Sequence, residues 1–542
     1  DSAACLVIDG QVVFAVEEER LVRKKHIGAF PERSIRECLS FANLRLADID
    51  AVTFFWKPWL SYAHMPLFLL KYLHRMPSLW KESREWTMEE NLGMLHYFGP
   101  MMRLNKQVAG LFPEQVDRLR YRFHYIEHHL CHAASAFFCS PFEEAAIMTV
   151  DGGGEWKTSL LAHGAGNRIR QISWVNIPHS LGAFYQSISK YLGFSLITGP
   201  GKLMGLASYG NRNSSAYEQI KKLVRLRPDG TFRLDLSYFS YHYTRRDCGM
   251  SRKFIRRFGP PVAQPGHWTQ EQLDVAAAVQ RVTEDVFLHM ARFLHRRTGL
   301  QRLTIAGGVG LNSVANGRIL KETPFKEIFI QPAAGDSGSS MGSALWHYHE
   351  VLGFPRQHVM KDAFLGPGFN DDEIEAQIKS TNLPYIKTGR YAEIAAALLA
   401  RGLIFGWFQG RLEFGPRALG NRSILASPCF AQMKDTLNAR VKFRESFRPF
   451  APIVLEEACG RFFDCATPSP FMLLVYQVLE TQRSRIPAVT HIDGSARIQT
   501  VSQSENPQMW GLIREFEKVT GVPVILNTSF NIKGEPIVCT PA

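Results

Sequence analysis

Two histidines four residues apart, His128 and His132 in the run His128-His129-Leu130-Cys131-His132, are the first groups whose spacing could do chemistry. On a helix, side chains at i and i+4 share a face, so this pair could hold one divalent metal while His129 points away. A carboxylate from elsewhere would have to complete the set. Asp336 is the candidate: it follows a strand in Gly335-Asp336-Ser337-Gly338 and stands near a helix start. Each reading has a plain rival. Core or surface histidines are the better account of the pair taken alone, and an ordinary N-cap explains Asp336 as well as a ligand role does.

Glycine loops come next. Asp151-Gly152-Gly153-Gly154 and Gly307-Gly308-Val309-Gly310 end short apolar runs, and glycine, without a Cβ, lets backbone approach a nucleotide closely. Gly199-Pro200-Gly201-Lys202 adds a lysine in a glycine-flanked loop. It lacks the spacing of a P-loop, which excludes that class.

The strongest anion-binding set lies late in the chain. Gly415-Pro416-Arg417-Ala418-Leu419-Gly420-Asn421-Arg422-Ser423 sets two guanidiniums about a tight loop, and Lys442, Arg444 and Arg448 follow. Arginine forks match phosphate and carboxylate oxygens two at a time. A solvated basic face is the weaker account, because Pro, Gly and Phe interleave the charges. Leu526-Asn527-Thr528-Ser529-Phe530-Asn531 ends a strand in polar side chains and would serve a ligand or a simple polar turn equally. No GxSxG elbow occurs and no cysteine is placed as an obvious nucleophile. Metal-assisted, nucleotide-dependent group transfer is what these residues suit.

Regular elements must position these groups. Residues 5–8 and 11–16 read as strands joined at Asp9-Gly10, a favoured hairpin dipeptide, and a helix follows over 32–41. Residues 145–150, the Asp151 turn and 159–164 echo that strand, acidic turn and strand, suggesting a duplicated nucleotide-binding core. Strands at 302–306 and 327–331 run into glycine loops, the second before a helix. Such alternation predicts an α/β sheet binding ligand at its strand ends. A break near Gly366-Pro367-Gly368, then a helix over 392–401 and a strand over 403–407, start a second α/β unit. The expected domains are therefore 1–362 and 363–542. Residues 56–112, rich in aromatics and Met, fit an inserted helical region. Membrane docking or an acceptor pocket are the alternatives for 56–80.

Composition sets the bounds. The chain has 542 residues, so two or three domains of about 100–200 residues are expected. Hydrophobic residues at 45% and charged at 21% describe a folded chain, without low-complexity tracts. Basic residues number 63 against 50 acidic, a net charge of +13 that suits nucleic acid, an anionic membrane or phosphorylated small molecules. Arginines beside Gly and Pro, as at Arg411, Arg417, Arg422, Arg444 and Arg448, favour the last. Nine cysteines with no CxxC pair, among them Cys5, Cys131 and Cys139, point to reduced thiols of a cytoplasmic enzyme. No run reaches the ~18 apolar residues of a membrane span, and the opening predicts no signal peptide.

Ten motifs in order, DSAACLVIDG, EEERLVRKKHIGAFP, HHLCHAASAF, VDGGGE, GKLMGLASYG, IAGGVGLN, GDSGSS, FGPRALGNRSIL, FRESFRPFAP and VILNTSFN, resemble the nodulation-protein and antibiotic-tailoring O-carbamoyltransferases. The likeness spans nearly the whole chain, with 56–112 least typical. It implies a first domain similar to the tRNA threonylcarbamoyl transferase, of the duplicated actin-like ATPase fold, and a second similar to threonylcarbamoyl-adenylate synthase. By that resemblance His128, His132 and Asp336 would hold a metal, often iron as Fe2+. Asp151, Gly152, Gly153, Lys202, Gly307, Gly308 and Asn312 would bind adenylate nearby. Arg417, Lys442, Arg448, Arg497 and Ser529 would line a second site, where carbamoyl phosphate and ATP with Mg2+ make carbamoyl-adenylate. An acceptor hydroxyl would then attack the polarised carbamoyl carbonyl, with AMP leaving. The family carries a His before the opening Asp-Ser-Ala-Ala and continues past Cys-Thr-Pro, so truncation at both ends is the expectation.

The expected acceptor is a small hydroxyl-bearing molecule: a sugar, a lipid-linked oligosaccharide, or a macrolide-like or aminoglycoside scaffold. No nucleic-acid partner is expected, and a homo-oligomer is compatible with the sequence. Two rivals stand beside this reading. A tRNA-modifying threonylcarbamoyl transferase would need no adenylate-forming unit in the same chain. A non-catalytic nucleotide-binding protein of the actin-like class would leave the histidine pair and the arginine loops without a purpose.

Overall fold

A computed structural model describes residues 2–72, 101–242, 249–465 and 467–542. By contact the chain forms two units. One, the arginine unit, comprises Asp1–Cys38, Leu311–Glu322 and His358–Ala542; the other, the histidine unit, comprises Leu39–Gly310 and Thr323–Gln357. This grouping differs from a single cut at 362, because the opening strands and the helix Ser313–Glu322 go with the C-terminal residues.

The opening hairpin pairs β1 (Ala3–Ile8) with β2 (Gln11–Glu17), and its turn residues Asp9 and Gly10 have φ of 49° and 78°. Positive φ at both central positions is what a type I′ hairpin turn requires. The expected helix is found at Glu32–Phe41. In the histidine unit, β3 (Ala51–Phe54) runs parallel to β4 (Arg122–Tyr125). The insertion is helical over Pro58–Tyr72 and Leu104–Gly110; residues 73–100 of the expected helical region, including part of 56–80, lie outside the described residues.

The core of the histidine unit is a five-stranded sheet. β5 (Glu144–Val150), β6 (Lys157–Ala165) and β7 (Arg168–Asn176) form an antiparallel meander. A small hairpin, β8 (Val224–Leu226) with β9 (Phe232–Leu234), stands apart from it. β10 (Arg302–Ala306) joins parallel to β5, and β11 (Glu327–Ile330) parallel to β10. The order β7-β6-β5-β10-β11, with β6 alone antiparallel to the rest, is that of one half of an actin-like ATPase. Among the described residues the expected first copy of this core is present only as the β1–β2 and β3–β4 pairs. Ala145 to Val150 are all buried, as a central strand covered on both faces demands.

Helices press on this sheet. The histidine helix, His128–Phe137, has every residue buried, and the helix Gln270–Thr298 is closed by a capping box at Thr269 and Gln272 and by left-handed Gly299. The helix Asp336–Trp346 packs so tightly on the histidine helix that a Cβ on Gly342 would lie 1.9 Å from the Cys131 carbonyl oxygen. Gly342→Ala is therefore expected to force the two helices apart and cost on the order of 1–3 kcal/mol, read as a lowered thermal unfolding midpoint.

The arginine unit is built on a six-stranded sheet. Its strands are β12 (Phe405–Phe408), β13 (Arg422–Ala426), β14 (Ala451–Leu455), β15 (Leu474–Gln477), β16 (Ser495–Val501) and β17 (Val524–Ser529). They lie in the order β12-β13-β17-β14-β16-β15, antiparallel throughout except for β14 beside β16. Helices Tyr391–Ala400 and Pro507–Thr520 pack together in this unit. The α/β class expected for both parts is found. Among the described residues no helix is long and apolar enough to cross a membrane.

Candidate functional sites in the two units

In the histidine unit, four donor side chains converge. His128 and His132 project from one face of their helix, Asp151 directly follows β5, and Asp336 opens the helix Asp336–Trp346. Their ligand atoms all lie within 4.8 Å of one another. His128 Nε2 is 3.4 Å from Asp151 Oδ2, 3.6 Å from Asp336 Oδ1 and 3.1 Å from His132 Nε2. His132 Nε2 is 3.9 Å from each carboxylate. Two ring nitrogens and two carboxylate oxygens this close repel unless a proton or a cation lies among them. The set therefore fits a divalent metal of the iron, zinc or manganese kind.

The local sequence explains the convergence. Gly335, not Asp336, caps its helix, and no side chain makes the capping bond, so the N-cap alternative for Asp336 does not apply. His129 faces elsewhere, its ring bonded to Thr149 Oγ1 at 2.7 Å and the Lys157 carbonyl at 3.1 Å. Ser339 Oγ meets His132 Nδ1 at 3.2 Å, fixing that ring from behind. The buried Glu155 carboxylate accepts the N–H of His128 at 3.1 Å and of Lys57 at 2.7 Å, tying the histidine helix to the start of the insertion. Phe55 and Trp56 wall the site, with ring centroids 5.6 and 5.1 Å from His128.

Electrostatics divide the two imidazoles. Burial alone would lower the His128 pKa, but its bond to Asp151 and the charges of Asp336, Asp151 and Glu155 win and raise it to about 9. His132 drops to about 3, through burial and the neighbouring His128 cation. Burial works against the Asp151 carboxylate, yet the His128 bond and the three imidazoles hold it well below the usual range. Without a metal ion, the pair therefore carries one positive charge at neutral pH, on His128.

The glycine loops surround the same spot. Gly308 N–H donates to Asp151 Oδ1 at 2.8 Å, and Gly153 N–H approaches Asp151 Oδ2 at 3.5 Å. Gly307 has φ of 89°, and a Cβ there would lie 2.3 Å from the Val150 carbonyl oxygen, so no other residue fits that crossing. Ser180 Oγ donates to the Gly152 carbonyl at 2.7 Å, seating the loop on the helix Leu181–Tyr191. Lys202 stands on another element, the helix Gly199–Leu206, with its ammonium 5.9 Å from the Phe194 ring centroid. Asn312 belongs by contact to the arginine unit, where its Oδ1 accepts the Ala315 N–H at the start of the helix Ser313–Glu322.

The arginine unit holds the second cluster. The Lys442 ammonium donates to the Ser529 and Asn531 carbonyls at 2.8 and 2.7 Å and reaches Ser529 Oγ at 3.3 Å. Arg417, Arg444, Arg448 and Arg497 stand near enough to disfavour one another's charge. Burial and Arg448 lower Arg417 to about 10, and the same two causes lower Arg444 to about 9. Burial, then Arg417, Arg444 and Arg448, press Arg497 well below its ordinary value. The Nε atoms of Arg417 and Arg497 are buried without a hydrogen-bond partner. Glu445, 3.9 Å from Arg448, partly offsets the charges of Arg448 and Arg444. Four guanidiniums gathered this closely and only partly exposed suit an anionic ligand.

Two arginines expected in this set do something else. Arg422 is wholly buried, donates to the Gln409, Asn421, Pro367 and Gly410 carbonyls and lies 3.6 Å over the Phe408 ring. Arg411 likewise donates to the Gly366, Val13 and Leu365 carbonyls. Both are fasteners of the loop, and their types and neighbours in sequence could not separate them from Arg417.

Burial first, then Arg444, Lys25 and Arg448, lower the Lys442 pKa from 10.5 to about 7. A bound phosphate would raise it again. Anion binding should then take up a proton near pH 8, and affinity should fall as pH rises above about 7; calorimetric titration of ATP in buffers of different ionisation enthalpy checks this. Folding runs the opposite way, because it releases this proton where anion binding takes it up. Between about 7 and 10.5 the unfolded chain holds the proton that the folded chain has lost, so this group's contribution to stability rises with pH across that window.

Reading the sequence alone missed Asp151 as a partner of the histidines, although an acid ending a buried strand was a usable signal. It also missed Lys25, Glu155 and Ser339, whose roles depend on contacts across the fold.

Two family models match the chain: the carbamoyltransferase N-terminus over residues 1–345 and the carbamoyltransferase C-terminus over 396–542. An uncharacterized protein of Synechocystis, sll1178, is 41% identical over 100% of this chain and 91% of its own length. The nodulation protein NolNO of Sinorhizobium fredii is 39% identical over 99% of this chain and 75% of its own. Nodulation protein NolO of Bradyrhizobium diazoefficiens is 41% identical over 76% and 74%. Among solved structures, component A of (R)-2-hydroxyglutaryl-CoA dehydratase from Acidaminococcus fermentans covers 65% of this chain and 98% of its own at 14% identity, with a TM-score of 0.32. So low a score adds nothing to the strand order described above.

Proposed function

Since the chain belongs to the carbamoyltransferase family, we propose that it is an ATP-dependent O-carbamoyltransferase whose two half-reactions are divided between its units. In the arginine unit, carbamoyl phosphate and ATP would yield carbamoyl-adenylate. Atom balance requires one water, with phosphate leaving the carbamoyl group and pyrophosphate leaving the α-phosphorus. Arg417, Arg444, Arg448, Arg497 and Lys442 would neutralise the two substrates' phosphates, and the Ser529 hydroxyl beside Lys442 would orient one of them. The observation that carries this reading is the cluster of four mutually repelling, partly buried guanidiniums beside a buried lysine.

In the histidine unit, His128, His132, Asp151 and Asp336 would hold a divalent metal, of which Fe2+ is one that suits the donors. When bound, such an ion would polarise the carbamoyl carbonyl as a Lewis acid. The chain's own part would be to keep the four donors aimed, through Ser339, Glu155 and the Gly308 N–H. The Gly152–Gly153 and Gly307–Gly308 backbones would admit the adenylate beside them, with Lys202 kept as a proposed nucleotide contact. A small hydroxyl-bearing molecule would be the acceptor, approaching past Phe55 and Trp56. The test is incubation with ATP and carbamoyl phosphate, with mass detection of carbamoyl-adenylate and assay of released pyrophosphate. Pyrophosphate release that needs both substrates supports the reading; release indifferent to carbamoyl phosphate contradicts it.

A further inference from the structure

Arg417 sits among like charges, so its place must be enforced by something other than its neighbours. The loop that carries it, residues 415–421, is bonded through its backbone by buried side chains from separate elements. Glu413 Oε1 accepts the N–H of Leu419 at 2.8 Å, Asn421 at 2.8 Å and Arg422 at 3.1 Å. Gln499 on β16 donates to the Leu419 carbonyl at 2.7 Å, and Asn527 on β17 to the Ala418 carbonyl at 2.8 Å. At the loop's start Glu17 accepts the Gly415 N–H at 2.7 Å, while Arg20 donates to the Gly415 carbonyl at 2.9 Å. Gly415 and Gly420 have φ of 121° and 107°, so this shape is not one the backbone takes unaided.

We propose that Glu413 is a positioning residue of the anion site, gathering two N–H groups of the loop and that of Arg422 just after it so that Arg417 faces Arg448 and Arg497 before any phosphate arrives. The inference rests on the reading of that cluster as the carbamoyl phosphate and ATP site. Glu413 is 0% exposed and its bonds run to backbone N–H groups, so it acts through Arg417. Three N–H groups on one oxygen call for a charged acceptor, because each such bond is roughly twice as strong as a neutral one. A preformed loop lowers the cost of ordering it at the moment of binding. A merely structural carboxylate would affect stability and leave substrate affinity alone.

The test measures pyrophosphate release against carbamoyl phosphate concentration for wild type, Glu413→Gln, Glu413→Ala and Arg417→Ala, with the fold of each checked by circular dichroism. KM should rise roughly tenfold in Glu413→Gln and roughly a hundredfold in Glu413→Ala, with kcat within about threefold. If Glu413→Ala does not fold, Glu413→Gln decides. A folded Glu413 variant whose KM stays within about twofold, while Arg417→Ala raises it, overturns this inference alone. An unchanged KM in Arg417→Ala overturns the functional reading, and the inference with it.

Discussion

Lys442→Ala is expected to reduce pyrophosphate release from ATP and carbamoyl phosphate by at least about a hundredfold, the range seen when one preorganised donor to a developing charge is removed. The expectation follows from where the ammonium stands. It is buried, fastened to the end of β17 by the Ser529 and Asn531 carbonyls, and already poised near neutrality by Arg444, Lys25 and Arg448. An incoming phosphate completes its charge balance. Removing it leaves the Ser529 and Asn531 carbonyls without their donor and removes the cation beside the four guanidiniums. Metal content should be unchanged in this variant, because none of the four donors belongs to the arginine unit. The release assay and elemental analysis on one preparation check both halves of the statement.

His128→Ala should do the reverse. Two carboxylates and one imidazole remain, but the deleted ring supplies the nitrogen nearest both carboxylates. Bound metal should fall to near zero, and transfer of the carbamoyl group to any acceptor should fall at least about a hundredfold, since a Lewis acid is worth several kcal/mol. Pyrophosphate release should stay within about threefold of wild type, an effect of under about 1 kcal/mol. Transfer can be followed without knowing the natural acceptor, as the decay of carbamoyl-adenylate against a panel of hydroxylated sugars. A protein that keeps its metal after losing His128 contradicts the proposed donor set.

Much of the scaffold is legible in the sequence. Asp9-Gly10 sits in the tight turn its type requires, and the helix over 32–41 and the strands at 302–306 and 327–331 lie within a residue of their expected bounds. These features depend on local chemistry: turn residues, apolar runs and helix periodicity. The i and i+4 spacing of His128 and His132 also carried into space, because a helix translates spacing directly into geometry.

Long-range pairing was not legible. Asp151 meets Gly308 because β5 and β10 are adjacent in the sheet, although 157 positions separate the two residues. The opening hairpin and the helical turn after it bond to the Gly415 loop through Glu17 and Arg20, and no composition shift marks that association. Arg417 and Arg422 look alike in the chain, yet one stands beside Arg448 in a cationic cluster and the other spends both terminal nitrogens on backbone carbonyls. Which arginine serves a ligand is decided by where acceptor groups happen to fall, and that is a property of the folded chain.

The most direct test of the division of labour is a paired measurement of metal content and pyrophosphate release on His128→Ala and Lys442→Ala. The account predicts opposite losses: the first variant without metal and still releasing pyrophosphate, the second with metal and silent. If either substitution removes both properties in a protein that remains folded, the two half-reactions do not belong to two separate centres.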